Sequence, residues 1–128
     1  FAGSDTYIHD LEGDTYVHTN HYLHCPQPVQ IDETDTENSR TRYKTAATNL
    51  IAVQHFSVPE MITILSDRSE GVDSILVENK PATLGELGYI GTLATVVMDL
   101  ENRSMKVRKG NPSSPSFAIE NFTEFSID

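Results

Sequence analysis

Apolar and polar residues change their rhythm several times along this chain, and each change marks an element. In "DTYIHDLEGDTYVHTN" Tyr, Ile, Val and Thr fill two short arms around Glu12-Gly13-Asp14, which predicts a β-hairpin. Pro26 and Pro28 then favour an extended, non-helical segment. Beyond them Tyr43, Ala46, Ala47, Leu50 and Ile51 recur at i, i+3, i+4, i+7 and i+8, the signature of one buried helical stripe. Thr34 and Glu37 fit a capping box, and Asp35 and Glu37 suit the positive end of the helix dipole, so a helix is expected over residues 36–54. Ser57-Val58-Pro59-Glu60 opens a second helix with Ser57 as its cap, running through "MITILSD".

The remainder reads as strands and turns. A loop with Gly71 leads to "SILVEN", a short strand, and "LGELGYIG" is a glycine-punctuated loop. "TLATVVMDL" and "SMKVRKG" form a hairpin across "ENR". Gly110-Asn111-Pro112 and "SSPS" make a turn-rich connection, and "SFAIENFTEF" closes as a strand. Strands, two helices, then strands is an α+β order, with the helices on one face of an antiparallel sheet.

A chain of 128 residues suits a single domain over 1–128, although a hydrophobic fraction of 38% is low for a self-sufficient core. The net charge of −10 argues against a nucleic-acid backbone or an anionic membrane as partner. No apolar run approaches the roughly 20 residues that span a bilayer. No signal peptide is visible at "FAGSDTYIHD", which points to the cytoplasm, and the lack of an initiator Met points to an incomplete start. The single Cys25 excludes an internal disulfide framework.

The densest polar chemistry is "DTYVHTNHYLH". His18, His21 and His24 are three apart, which is not the spacing of a helical zinc motif. On a strand His18 and His24 share a face and His21 points away, so local hydrogen bonding is expected and no metal or cofactor. Cys25 as a nucleophile needs a base, and the neighbouring His24 would diverge from it in an extended segment. Asn20 shares a strand face with Tyr16 and His18. An amide there can donate to an oxyanion, but strand-end asparagines more often cap turns.

"VHTNHYL", "SRTRY", "MITILSD" and "TLATVVMDLENRSMKVRKGNP" together resemble, in order, the blocks of the acyl-coenzyme A:6-aminopenicillanic acid acyltransferase family, a branch of the N-terminal-nucleophile hydrolases distantly similar to choloylglycine hydrolases. The resemblance runs from about residue 15 to residue 112. It implies part of an αββα sandwich, in which two antiparallel sheets pack between helical layers. It also implies a Cys nucleophile exposed by self-cleavage, with its α-amino group as base, that forms an acyl-enzyme from a small-molecule amide or acyl thioester. Asn20 falls where that family has an oxyanion-hole asparagine, and Arg42 where it has an active-site arginine. The family nucleophile lies far upstream of "HTNH", whereas Phe1 is neither Cys, Ser nor Thr. The expectation is a carboxy-terminal portion that supplies Asn20 and Arg42, partnered by a missing amino-terminal half or by copies of itself. The competing expectation is a non-catalytic α+β binding or assembly module that keeps the scaffold.

Overall fold

The computed structural model describes residue 13 and residues 15–20, 33–81 and 89–127, and of residues 33–36, 80, 81, 89 and 90 the backbone alone. In chain order the elements are α1 (Glu33–Ala52), α2 (Val58–Leu65), a 3-10 turn (Gly71–Asp73), β1 (Lys80–Pro81), β2 (Tyr89–Ile90), β3 (Ala94–Asp99), β4 (Ser104–Lys109) and β5 (Thr123–Ser126). β1 and β2 form a small antiparallel pair, and β3-β4-β5 form an antiparallel sheet in sequential order. The α+β class expected from the sequence is the fold observed. No helix among the described residues is long and apolar enough to cross a membrane.

The helix α1 starts at Glu33, three residues earlier than expected, so Thr34 lies inside the helix rather than at its cap. Its packed face is also rotated from the expected stripe. Ser39 is fully buried, whereas Ile51 is 87% exposed. The face is set by what α1 packs against, namely α2 and the 3-10 turn, and Ser39, Arg42, Ala46 and Leu50 follow it at i, i+3, i+7 and i+11. Helix α2 begins as expected, with Ser57 extended at the cap position and Pro59 in the first turn, although the Ser57 side chain makes no cap hydrogen bond.

The β3–β4 hairpin follows the sequence reading closely. Thr95 and Val97 point inward and Ala94, Val96 and Met98 outward, the period-two alternation of a sheet with one covered face. Asp99 closes the turn by accepting from the Asn102 backbone N–H at 3.0 Å and from Asn102 Nδ2 at 2.8 Å. Those bonds hold the Asp99 carboxyl below its ordinary pKa.

Other expected strands are corrected. "SILVEN" carries no regular strand, because side chains replace its ladder. The Val77 N–H donates to Thr92 Oγ1 at 3.0 Å, and the Thr92 N–H returns to the Val77 carbonyl at 3.0 Å. Asn111 finishes the clamp. Its Nδ2 donates to the carbonyls of Val77 (3.1 Å) and Thr92 (2.9 Å), while its Oδ1 accepts from the N–H groups of Asn79 (3.0 Å) and Ser113 (2.9 Å). A Cβ on Gly91 would lie 2.5 Å from Asn111 Nδ2, so glycine is required for this approach. Part of the expected "LGELGYIG" loop, Tyr89–Ile90, pairs instead with Lys80–Pro81. In the last strand only Thr123–Ser126 pairs, because turns occupy the preceding residues. The first hairpin arm and residues 21–32 lie outside the described residues, and residues 15–19 carry no strand ladder.

Packing of the sheet on α2 centres on Arg108, the largest fully buried side chain, at 1% exposure. Its Nη1 donates to Ser66 Oγ (2.9 Å) just past α2 and to the Ile119 carbonyl (2.7 Å), and its Nη2 to Thr95 Oγ1 (2.9 Å) across the strand pair. The guanidinium also lies 5.3 Å from the Phe117 ring centroid and 4.9 Å from that of Phe122, within cation–π range. Burial lowers its pKa, yet a guanidinium stays charged in a protein. Val97 and Ile64 supply the adjoining buried apolar contacts.

Lysine in place of Arg108 keeps a charge but has no planar fork to reach three acceptors. Arg108→Lys is expected to cost about 2 kcal/mol, and Arg108→Ala about 3–4 kcal/mol through orphaned acceptors and a cavity. Urea denaturation followed by circular dichroism measures both. A wild-type midpoint for Arg108→Lys would show that charge, not fork geometry, is what the site requires.

Candidate functional site

Two sequence motifs interlock pairwise. Ser39 and Arg42 stand three apart on α1 and so project from one face. Thr19 and Asn20 are consecutive in the segment that lies against that face. Thr19 Oγ1 donates to the Ser39 carbonyl at 2.9 Å, and Ser39 Oγ donates to Thr19 Oγ1 at 3.0 Å. Arg42 Nη2 donates to Asn20 Oδ1 at 2.8 Å. The two site residues expected from the sequence, separated by twenty-two positions, are therefore in direct contact. The Nη2 end of Arg42 turns towards residues 16–20.

The chemistry of this contact fixes an orientation. A guanidinium has five donors and no acceptor. The atom of Asn20 that faces Arg42 must be the oxygen, which leaves the Asn20 NH2 group to donate elsewhere. Arg42 itself is half-buried, and Asn20 is exposed.

Both residues line a cleft of about 470 Å³, within the range of small-molecule sites. Its walls divide by chemistry. Thr19, Asn20 and Arg42 form a polar end, whereas Ala46 and Leu50 of α1 and Met61, Ile64 and Leu65 of α2 form an apolar side. Tyr16 and His18 also border it, with their rings stacked at a centroid distance of 6.4 Å. That stacking on Tyr16 is the ring contact of His18, which the sequence had suggested as a local hydrogen-bonding residue. His21, His24 and Cys25 lie outside the described residues. Among the described residues no group of three His, Cys, Asp or Glu side chains is placed to hold a metal ion.

The sequence reading passed over Thr19 and Asn38. Asn38 Oδ1 accepts from Arg42 Nε at 3.0 Å. Its position four residues before Arg42 was the available signal, because such pairs meet on a helix surface. Ser39 was visible in the motif but carried no assigned role, since its partner is brought in by the tertiary fold alone.

The model of the acyl-coenzyme A:6-aminopenicillanic acid acyl-transferase family matches residues 2–114. That span takes in both interlocked motifs, the two helices and the β3–β4 hairpin. No curated protein matches the chain.

Ser39→Ala removes the hydroxyl that donates to Thr19 but keeps the Thr19 bond to the Ser39 carbonyl. Loss of one net hydrogen bond at a buried position is expected to cost about 1 kcal/mol. The effect should be local, so amide hydrogen exchange at Thr19 and Asn20 should speed up more than exchange in β3 and β4. Uniform acceleration across the protein would mean that the contact supports global stability rather than the placement of Asn20.

Proposed function

Because the chain belongs to the acyl-coenzyme A:6-aminopenicillanic acid acyl-transferase family, we propose that its cleft is the oxyanion-stabilising side of an acyl-transfer site. The reaction is acyl transfer from, or hydrolysis of, a linear amide or acyl thioester, through an acyl-enzyme on a Cys outside this chain. The observation that carries the reading is the Arg42–Asn20 bond, which directs the amide oxygen to the cation and turns the amide N–H bonds towards other acceptors, such as a forming anion.

The steps follow from ordinary carbonyl chemistry. The thiolate forms a bond to the carbonyl carbon, and the π electrons move to oxygen. Asn20 Nδ2–H donates to that oxyanion, which carries more charge than the ground-state carbonyl and so gains more from the bond. Collapse of the tetrahedral intermediate breaks the C–N bond of an amide, whose amine leaves with the proton that the general base took from the thiol, or the C–S bond of a thioester, whose sulfur leaves as a thiolate and takes up that proton. Water or an amine then attacks the acyl-enzyme and regenerates the thiol. Arg42 acts through Asn20 by pinning its amide, and its positive charge adds to the field at the polar end of the cleft.

The nucleophile comes, on this reading, from an amino-terminal half, and the remaining packing from that half or from a second copy of the chain. What supports a partner is the outer face of the β3-β4-β5 sheet. Val96 stands opposite Val107, and Met98 opposite Met105, which faces Phe125 in turn. Val96 is 42% exposed, Met98 62% and Phe125 47%, so an apolar patch lies open. Met98→Lys combined with Phe125→Glu is expected to abolish that association in sedimentation velocity. A monomer before the substitutions would leave the face without its partner.

In the enzyme assembled with its nucleophile, Asn20→Ala is expected to lower kcat on the order of 10²–10³-fold with a smaller change in KM. Asn20→Asp should be at least as harmful, because it sets a negative charge against the developing one. His18→Ala should be milder, and the 128-residue chain alone should show only background turnover. Steady-state kinetics on amide and thioester substrates decides the matter. Near-normal kcat in the Asn20 variants would remove the oxyanion assignment and favour a binding or assembly module.

A further inference from the structure

The chain of bonds that orients Asn20 does not begin at Arg42. Arg42 Nε donates to Asn38 Oδ1 at 3.0 Å, and Asn38 Nδ2 donates in turn to Asp73 Oδ1 and, at 3.3 Å, to the Val72 carbonyl. Asp73 ends the 3-10 turn that packs against α1. Each link in this series runs one way. The guanidinium can only donate, the carboxylate and the peptide carbonyl can only accept, and the Asn38 amide between them has one arrangement that serves both. Arg42 is thereby held at Nε by Asn38 and at Nη2 by Asn20. Two anchored nitrogens set both the position and the tilt of a planar group.

We propose that Asp73 and Asn38 are positioning residues for acyl transfer, which hold Arg42 so that the Asn20 amide stays aimed for the oxyanion. The proposal rests on the reading of Asn20 as that donor. Asp73 does not line the 470 Å³ cleft, and the relay connects it to that cleft. A second, smaller cavity of about 140 Å³ also borders Arg42, together with Asn38, Val72 and Thr92. If the relay is broken the guanidinium has space there to swing away from Asn20.

A swap of chemistry along the relay tests it. Asn38→Asp sets two carboxylates against each other where a donor met an acceptor. Asn38→Asp with Asp73→Asn restores the pattern, because the carboxylate then at position 38 accepts from Arg42 Nε and the amide then at position 73 donates to it. In the enzyme assembled with its nucleophile, Asn38→Asp is expected to lower kcat by up to about 10²-fold with KM little changed, since misplacement of a catalytic group by about 1 Å has that effect. The double variant should recover most of the loss. Affinity for a substrate-derived aldehyde, which mimics the tetrahedral intermediate, should fall and recover with kcat, while affinity for the ground-state amide stays constant. The Asn20 side-chain amide signals in ¹⁵N spectra should shift in Asn38→Asp and return in the double variant. Asp73→Ala, which removes the terminal acceptor without adding a charge, should shift them too.

Unmoved Asn20 signals in Asn38→Asp and Asp73→Ala would overturn the relay. Signals that shift and return without any change in kcat would instead overturn the reading of Asn20 as oxyanion donor, and with it the catalytic role of the relay.

Discussion

The one-way hydrogen-bonding chemistry of arginine organises this protein at two points. At the cleft, Arg42 determines which end of Asn20 faces it, because a guanidinium cannot accept. An isolated asparagine amide has two orientations of similar energy, and only one presents N–H groups to a developing anion. Arg42 removes the ambiguity. The helix α1 supplies the rigidity, since Ser39 and Arg42 leave the same face and engage consecutive residues of the facing segment. A segment with no ladder of its own is thus registered against a helix by side chains.

At the scaffold, Arg108 performs the corresponding task. It is buried where a sheet meets a helix, a place usually filled by a branched aliphatic side chain. Burying a charge is costly, and here the offset comes from three acceptors and two aromatic faces rather than from a described carboxylate. What the arrangement provides is reach. A single side chain ties β3, the end of α2 and the turn at Ile119 together. The position of α2 matters to the cleft, because Met61, Ile64 and Leu65 form its apolar side. The two arginines are linked in effect, one setting the wall and the other the polar end.

The two faces of the sheet differ in what covers them. Its inner face, with Thr95 and Val97, is covered by α2, whereas its outer face keeps Val96 and Met98 exposed. The Lys106–Glu124 pair between β4 and β5, at 2.8 Å and partly exposed, adds little to stability in water. Those outward apolar side chains leave that face of the sheet open among the described residues.

Periodicity together with end signals determined the two helices and the β3–β4 hairpin, because caps and prolines mark where a helix starts and a half-covered hairpin writes its burial pattern into local sequence. The motif blocks determined the family and singled out Asn20 and Arg42. Local pattern could not determine which face of α1 packs, so Ile51 was placed in the core and Ser39 went unremarked. The face is chosen by α2 and the 3-10 turn, not by the helix's own residues. Nor could sequence show that "SILVEN" pairs through the Thr92 and Asn111 side chains instead of a ladder, since those partners lie fifteen residues or more away along the chain. The relay from Asp73 through Asn38 to Arg42 is the clearest case. Each residue is unremarkable where it stands in the sequence, and only the fold brings a carboxylate, an amide and a guanidinium into the single order in which every donor meets an acceptor.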